Sequence, residues 1–133
     1  MHKALGKHLI AELWVNEPTV LNNPDLIRDS LIAAAKRGSF SVLNVSVHQF
    51  DPHGVTGILL LSESHMSIHT WPEYGYAAVD IFTCGGAPDL ALQELKRRLD
   101  VDRMEVQELD RGLIGPASPR PSHTFRHRAV DIS

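Results

Sequence analysis

The sequence lacks the features that would place it outside the class of ordinary globular domains. It contains a single cysteine, Cys84, so no disulfide can form within the chain and a reducing cytoplasm is the expected location. It has no run of about 18 apolar residues that could cross a membrane, and residues 1–15 do not have the pattern of a signal peptide. The net charge of −3 predicts neither a nucleic-acid partner nor binding to an anionic membrane.

The composition that remains is typical of one compact domain. The chain has 133 residues, of which 43% are hydrophobic and 22% are charged. A chain of this length can bury a core without disulfides or structural metals. We therefore expect a single domain that spans residues 1–133.

Hydrophobic periodicity predicts the element order β-α-β-β-β-β-α-β. The apolar and β-prone segments that predict strands are 7–15, 39–50, 55–62, 64–71, 76–84 and 101–109. Helices are predicted from the Asn23-Pro24 start to the Gly38 stop and over 88–99. Together these elements predict an α+β two-layer sandwich: a mainly antiparallel sheet with both helices on one face. The tail after Arg111, rich in Pro, Ser and Arg, is expected to be irregular and partly mobile.

Reactive side chains concentrate between residues 56 and 85, within the predicted strands. Taken one at a time, a serine in a strand is usually a hydrogen-bonding filler, and a lone cysteine a small apolar residue. His65 and His69 have the spacing of a zinc motif on a helix. In a strand they lie about 13 Å apart, so one metal cannot bind both. A metal-binding module is therefore the least favoured interpretation, and no metal is expected.

The stretch SESHMSIHTWPEYGYAAVDIFTCG, residues 62–85, closely resembles the core motif of the prokaryotic S-adenosylmethionine decarboxylases in their short archaeal and bacterial form. The similarity begins at LGKHLIAEL near the N-terminus and covers about 110 residues. Members of this family are proenzymes that carry a pyruvoyl cofactor made from a serine. They are not thought to need putrescine or a metal.

The resemblance implies self-cleavage between Glu63 and Ser64, which yields a β chain 1–63 and an α chain 64–133. The Ser64 hydroxyl attacks the Glu63 carbonyl, and β-elimination with loss of ammonia then turns Ser64 into the pyruvoyl group. His69 matches the family's processing base, and imidazole can take a proton at neutral pH. Thr56 matches a hydroxyl residue that stabilises the tetrahedral intermediate and is serine in close relatives. Its extra methyl group restricts χ1, so we expect processing to be slowed but not lost.

The resemblance also implies the roles of the substrate site. The pyruvoyl carbonyl forms a Schiff base with the substrate amine, and Cys84 matches the proton donor, because a thiol is mostly protonated at neutral pH. Phe50 and Trp71 match the aromatic side chains that enclose the adenine ring, and Glu73 matches the carboxylate that binds the ribose hydroxyls. The cleaved chains are expected to stay associated and to form a homodimer of αβ units with shared sites, supplying spermidine biosynthesis.

Two alternatives remain open at this stage. The same pyruvoyl chemistry would serve a relative that decarboxylates arginine or ornithine. An unprocessed relative could instead bind a nucleoside or a partner without catalysis. The aromatic pair and Glu73 favour the nucleoside substrate, since a free amino acid offers them neither adenine nor ribose. Intact Ser64, His69 and Cys84 favour a working enzyme.

Overall fold

The computed structural model describes residues 3–115 and 126–133. The fold is α+β, as predicted: within these residues one antiparallel sheet of seven strands carries two α-helices. The strands are β1 (Lys3–Val15), β2 (Val42–Gln49), β3 (Val55–Leu61), β4 (Ser64–Trp71), β5 (Tyr76–Thr83), β6 (Val101–Ile114) and β7 (Arg126–Val130), and the helices are α1 (Pro24–Arg37) and α2 (Pro88–Arg98). Their order across the sheet is β2-β3-β4-β5-β1-β6-β7.

Helix α1 forms where its capping residues predict it. The Asn23 side chain accepts a hydrogen bond from the backbone N–H of Leu26 at 3.1 Å, and Pro24 occupies the first turn. Gly38 ends the helix, with its N–H donating to Ala34 O at 3.0 Å. The side chains on the inner stripe of α1 are fully buried, which fixes the helix against the sheet.

Alternation along the strands gives the sheet two different faces. In β5, Ala77, Val79 and Ile81 are buried with the helices, whereas Asp80 and Phe82 between them point away and are half-buried. The same alternation holds in β1, β3 and β4. We call the surface away from the helices the open face. The reactive side chains of β3 and β4, except Ser64, lie on this open face and not in the core.

The sheet extends further toward both chain ends than the sequence pattern predicts. β1 begins at Lys3, and β6 continues to Ile114, so the two strands pair almost along their full length. The prediction of an irregular tail is wrong for residues 126–130, which form β7 beside β6. It is also wrong for residues 112–114, which belong to β6, and residues 116–125 of that tail lie outside the described residues.

Cross-strand ion pairs explain why a Pro- and Arg-rich tail ends in a strand. Arg126 pairs with Asp110 at 2.9 Å, and Arg128 pairs with Glu108, each directly across from its partner. Lys7 of β1 also contacts Asp110, at 3.1 Å. Hydrogen bonds from Lys7, together with the charges of Lys7 and Arg126, lower the pKa of Asp110 against the opposing effect of burial.

No helix within the described residues is long and apolar enough to span a membrane.

Candidate active site

The predicted cleavage site is the tip of the β3–β4 hairpin. Leu61 pairs with Ser64, so only Ser62 and Glu63 form the turn. Glu63 adopts φ 63°, a left-handed conformation that is unfavourable for a residue with a side chain. Ser64, at the first position of β4, is 8% exposed, and its hydroxyl donates a long hydrogen bond to Ser62 O at 3.4 Å. The Glu63–Ser64 bond therefore lies at an exposed turn, while the serine side chain points inward.

Strand pairing brings Cys84 next to this turn. His65 of β4 is opposite Phe82 of β5, so the residue that follows β5 lies beside the start of β4. The Cys84 thiol is exposed and lies 3.9 Å from the Glu63 carbonyl oxygen, a long hydrogen bond to sulfur. A cavity of about 230 Å³ opens between the cleavage turn and the loop that carries Cys84. The structure thus brings the predicted pyruvoyl precursor and the predicted proton donor together.

The predicted processing pair lies at the other end of the same hairpin. Thr56 of β3 is directly opposite His69 of β4, and Thr56 Oγ1 is 3.0 Å from His69 Nδ1. Because Thr56 contacts His69 Nδ1, the other ring nitrogen, Nε2, remains available to a second hydrogen-bonding group. Ser64 precedes His69 by five residues on one straight strand, a separation of about 17 Å. The structure therefore does not bring Thr56 and His69 to the Ser64 of their own chain.

The predicted substrate contacts lie at the same end as His69. Phe50 directly follows β2, and Trp71 is the last residue of β4, with β3 between them. Both have the register of the open face and are exposed, 49% and 40%. Two strand spacings separate them by about 10 Å, which leaves room for a flat ring between the two side chains.

Glu73 follows Trp71 in the short 3-10 helix Pro72–Tyr74, where the sequence predicted a turn. Its carboxylate is 3.0 Å from His53 Nε2, which belongs to the β2–β3 turn. Hydrogen bonding to its own backbone N–H, together with the hydrogen bond and charge of His53, lowers the pKa of Glu73 against the opposing effect of desolvation. Glu73 is therefore an exposed acceptor that stays ionised, as binding of sugar hydroxyls requires.

A row of stacked side chains supports Trp71 from the side. Tyr76 lies across from both Trp71 and Trp14, with ring centroids 5.4 Å and 5.6 Å away, and Arg103 lies over the Trp14 ring at 4.8 Å. The Tyr76 hydroxyl donates to Glu12 at 2.6 Å. Burial and the Glu12 carboxylate raise the pKa of Tyr76 to about 12, so this hydroxyl remains a donor.

The sequence analysis missed a polar cluster at the centre of the open face. Asp80 accepts hydrogen bonds from His8 at 2.7 Å, from His65 at 3.2 Å and from Ser67. Partial burial alone would raise the pKa of Asp80, but these hydrogen bonds outweigh it and lower the pKa. The available signal was the alternation of β5, which puts a carboxylate between Ala78 and Phe82 on the face without helices.

The three ligand-type atoms of His8, His65 and Asp80 are close enough to hold one metal ion. The hydrogen bonds favour an ion-paired cluster instead. Arg111 is always a donor, and its Nη1 is 3.0 Å from His8 Nδ1, so the His8 proton is on Nε2 and points at Asp80. A metal on Nε2 would have to displace that proton. His69, the other histidine of the zinc-like spacing, is not part of the cluster.

Large apolar side chains surround the polar cluster on the open face. Ile10, Ile58 and Leu60 are 42–53% exposed, although they belong to interior strands of the sheet. An apolar surface of this extent, next to polar groups, is typical of a protein–protein interface. The open face therefore has the character of a surface that binds another protein chain.

Fold and site together define a class: two-layer α+β proteins in which a serine at a hairpin tip adjoins a cysteine in the loop that follows the neighbouring strand. Residues 7–112 match the family described as S-adenosylmethionine decarboxylase. The chain belongs to that family.

Proteins of this family match between 84% and 97% of the chain. An S-adenosylmethionine decarboxylase proenzyme from Thermodesulfovibrio yellowstonii is 36% identical over 131 residues, which cover 97% of both chains. A proenzyme of the same name from Methanococcus maripaludis is 46% identical over 114 residues, 84% of this chain and 93% of the relative. The crystal structure of the adenosylmethionine decarboxylase from Aquifex aeolicus has a TM-score of 0.79 at 35% identity, covering 89% of this chain and 99% of that one.

Proposed function

We propose that this chain is a proenzyme that cleaves itself between Glu63 and Ser64 and then decarboxylates S-adenosylmethionine. The observation that carries the proposal is the position of Ser64, inward-pointing at a two-residue turn and adjacent to the Cys84 thiol. Family membership supports the same reaction. The product, a decarboxylated nucleoside sulfonium, would supply an aminopropyl group for spermidine synthesis, and the single cysteine suits a cytoplasmic enzyme.

Cleavage begins with two residues of the cleavage turn and needs a base and a hydrogen-bond donor in addition. The Ser64 hydroxyl attacks the Glu63 carbonyl carbon, which converts the peptide bond to an ester, and removal of the Ser64 α-proton then expels the Glu63 carboxylate. An imidazole is suited to take that proton. A hydroxyl is suited to donate to the oxyanion that forms on the Glu63 carbonyl. These are the roles we assign to His69 and Thr56.

The single domain is expected to survive the cut. The β chain, 1–63, contributes β1, which lies between β5 and β6 of the α chain, 64–133. β3 also remains paired to β4 after cleavage. Separating the two chains would expose both sides of β1 and the core beneath it, so the chains stay associated.

The residues around Ser64 suit a pyruvoyl group at that position. Ser64 is 8% exposed, which restricts water around the new carbonyl, and the neighbouring cavity is open to a substrate. A pyruvoyl carbonyl supplies an electron sink for decarboxylation of an amino acid. Cys84 holds a proton beside this position, and we assign it the protonation of the substrate carbon after CO2 has left.

We further propose that the working enzyme is a homodimer of αβ units in which each site contains residues of both subunits. The distance of about 17 Å between Ser64 and His69 in one chain is too long for direct proton transfer. A second copy, packed antiparallel on the open face, would bring its own Thr56 and His69 to Ser64. A two-fold axis repeats this contact and gives two identical sites.

The substrate would then lie between the subunits. Phe50 and Trp71 of one subunit are spaced to enclose a flat ring, and Glu73 is an ionised acceptor for two vicinal hydroxyls. Adenine and ribose supply those groups, and arginine and ornithine supply neither. The aromatic faces would also favour the positive charge of a sulfonium.

The intact masses of the denatured protein test the proposal. We expect two chains that divide after Glu63, the C-terminal one without its α-amine and with a reactive ketone, and CO2 release from S-adenosylmethionine but not from arginine or ornithine. Ser64→Ala should give one uncut chain and no CO2. Release from arginine or ornithine would reject the nucleoside substrate, and a single uncut wild-type chain would point to the non-catalytic alternative.

A further inference from the structure

We propose that Phe40 is a positioning residue: its ring holds the loop that carries Cys84 at the correct distance from the Glu63–Ser64 bond. The inference rests on the proposed function, because it concerns the proton donor of that reaction. It assigns a role to the connection between α1 and β2, residues 38–41, in which residues 39–41 were predicted to be strand.

The loop after β5 needs external support to hold the thiol in place. Cys84 is followed by Gly85 and Gly86, all three are exposed, and glycine pairs allow many backbone conformations. A side chain at Gly85 would touch nothing within 4 Å. The Thr83 hydroxyl fixes the first half of the loop through the backbone of Gly85, 3.0 Å from its N–H.

Phe40 supports the second half of the loop. Gly86 has φ +70°, and a Cβ placed there would lie 2.5 Å from Phe40 Cε1. A Cβ on Gly38 would lie 2.7 Å from Phe40 Cε2. The two edges of the ring thus occupy the space that a side chain would take at either glycine, and the ring is wedged between the end of α1 and the Cys84 loop.

Backbone hydrogen bonds connect the same segment to both halves of the site. Gly38 O accepts from the N–H of Ala87, at the end of the Cys84 loop, at 2.9 Å. Ser41 O accepts from the N–H of Ser62, in the cleavage turn, also at 2.9 Å. A shift of Phe40, which also lines the cavity between the cleavage turn and the Cys84 loop, therefore changes the position of the thiol relative to Ser64.

Misplacement of the thiol has a specific chemical consequence. After CO2 leaves, a proton must be added to the substrate carbon. If it is added to the pyruvoyl carbon instead, hydrolysis leaves the substrate nitrogen on the chain as an N-terminal alanine. The rest of the decarboxylated substrate leaves as an aldehyde, with its oxygen from water. The α chain then has a free amine in place of a ketone, and it is inactive.

The test compares Phe40→Ala, Phe40→Leu and the control Leu26→Ala, which also removes a partly buried side chain from the core but at the far end of α1. The first readout is the amount of alanine-headed α chain formed per CO2 released. Since a displacement of about 1 Å can change a reaction step by a large factor, we expect an increase of about tenfold for Phe40→Ala.

The second readout does not need a working cofactor. In a Ser64→Ala background the chain stays uncut, and its single cysteine reports on the loop. We expect iodoacetamide to alkylate Cys84 about threefold faster or more when Phe40 is also replaced by alanine, because the exposed thiol would no longer be held against the Glu63 carbonyl oxygen. Leu26→Ala should leave this rate unchanged.

The proposal is overturned if both readouts are the same in the Phe40 variants as in the wild type, or if Leu26→Ala changes them equally. If Phe40→Ala does not fold, Phe40→Leu decides, since leucine keeps bulk near the backbone but lacks the two ring edges that touch the glycines. If the wild-type chain never cleaves, the proposed function fails, but the alkylation rates still test the position of the loop.

Discussion

The sharpest test of the shared site is a complementation between two inactive variants. Ser64→Ala cannot be cut but still provides His69, and His69→Ala retains the bond to be cut but lacks the base. The separation of about 17 Å along β4 means that His69 cannot act on Ser64 of its own chain. Each variant alone should therefore stay uncut, whereas a mixed dimer contains one complete site.

The expected yield follows from the symmetry of the dimer. When the two variants are co-expressed in equal amounts and pair at random, about half of the His69→Ala chains are in mixed dimers. In each of these dimers the intact Ser64 is opposite the intact His69, and the second site lacks both residues. We expect about half of the His69→Ala chains to be cut, which is about a quarter of all chains.

The assay is the intact mass of differently tagged chains after co-expression. The matched control replaces Ser64→Ala by the double variant Ser64→Ala/His69→Ala, which offers no base to either subunit and should give no cut chain. Absence of cleavage in a mixed dimer that has formed would refute the exchange of His69 between subunits. Full cleavage of His69→Ala alone would show that His69 is not the base.

Four further results are expected. Cys84→Ala should be cut normally but release CO2 about a hundredfold more slowly, because its general acid is lost. Glu73→Gln should raise the KM for S-adenosylmethionine about tenfold, the value of one charged hydrogen bond, with little effect on cleavage. Thr56→Val should slow cleavage about a hundredfold by removing the hydroxyl donor, and Thr56→Ser should be at least as fast as the wild type. Asp80→Asn should cost about 1 kcal/mol of unfolding free energy near neutral pH. The pKa of Asp80 is lowered in the folded state, so its ionised carboxylate stabilises the fold at every pH above 3.8, the ordinary pKa of aspartate. As the pH falls below 3.8 and the carboxylate becomes protonated, the difference in unfolding free energy between Asp80→Asn and the wild type should shrink.

Each of these expectations has a contradicting result. Undiminished CO2 release by Cys84→Ala would remove the thiol from the reaction, and an unchanged KM for Glu73→Gln would reject the ribose contact. Equal cleavage rates of Thr56→Val and Thr56→Ser, measured by mass over time, would show that the hydroxyl has no part in processing. A difference between Asp80→Asn and wild type that is constant from neutral to acid pH would mean that the carboxylate charge does not contribute to stability.

Local sequence signals were sufficient for most of the fold. Asn23 and Gly38 determine where α1 begins and ends, because their capping hydrogen bonds are made within a few residues. The strand predicted over 76–84 is confirmed as β5, Tyr76–Thr83, whose side chains alternate between the core and the open face. The tail was predicted wrongly because β7 depends on Arg126 and Arg128 meeting acidic residues of β6, a pairing between segments that no local pattern reveals.

The candidate site, like the fold, was predicted from the sequence only in part. The motif around Ser64 named the residues to which we assign the chemistry, and the pairing of β4 with β5 could be expected from their closeness in sequence. The polar cluster around Asp80 could not be predicted from the sequence, since His8 and Arg111 belong to strands that are far from Asp80 along the chain. Phe40 gave no signal at all, because its role depends on the space left by two glycines that are 48 residues apart in the sequence.

The sequence by itself determined the family, the kinds of reactive group and the order of helices and strands as far as β6, because these depend on residue identity and on contacts between near neighbours. Only the tertiary structure decided which of those groups can meet. A straight strand keeps Ser64 and His69 apart although five positions separate them, while the sheet brings Ser64 beside Cys84, twenty positions further on. The physical reason is the rigidity of paired strands: distance along a strand grows with every residue, whereas adjacent strands always lie one hydrogen bond apart.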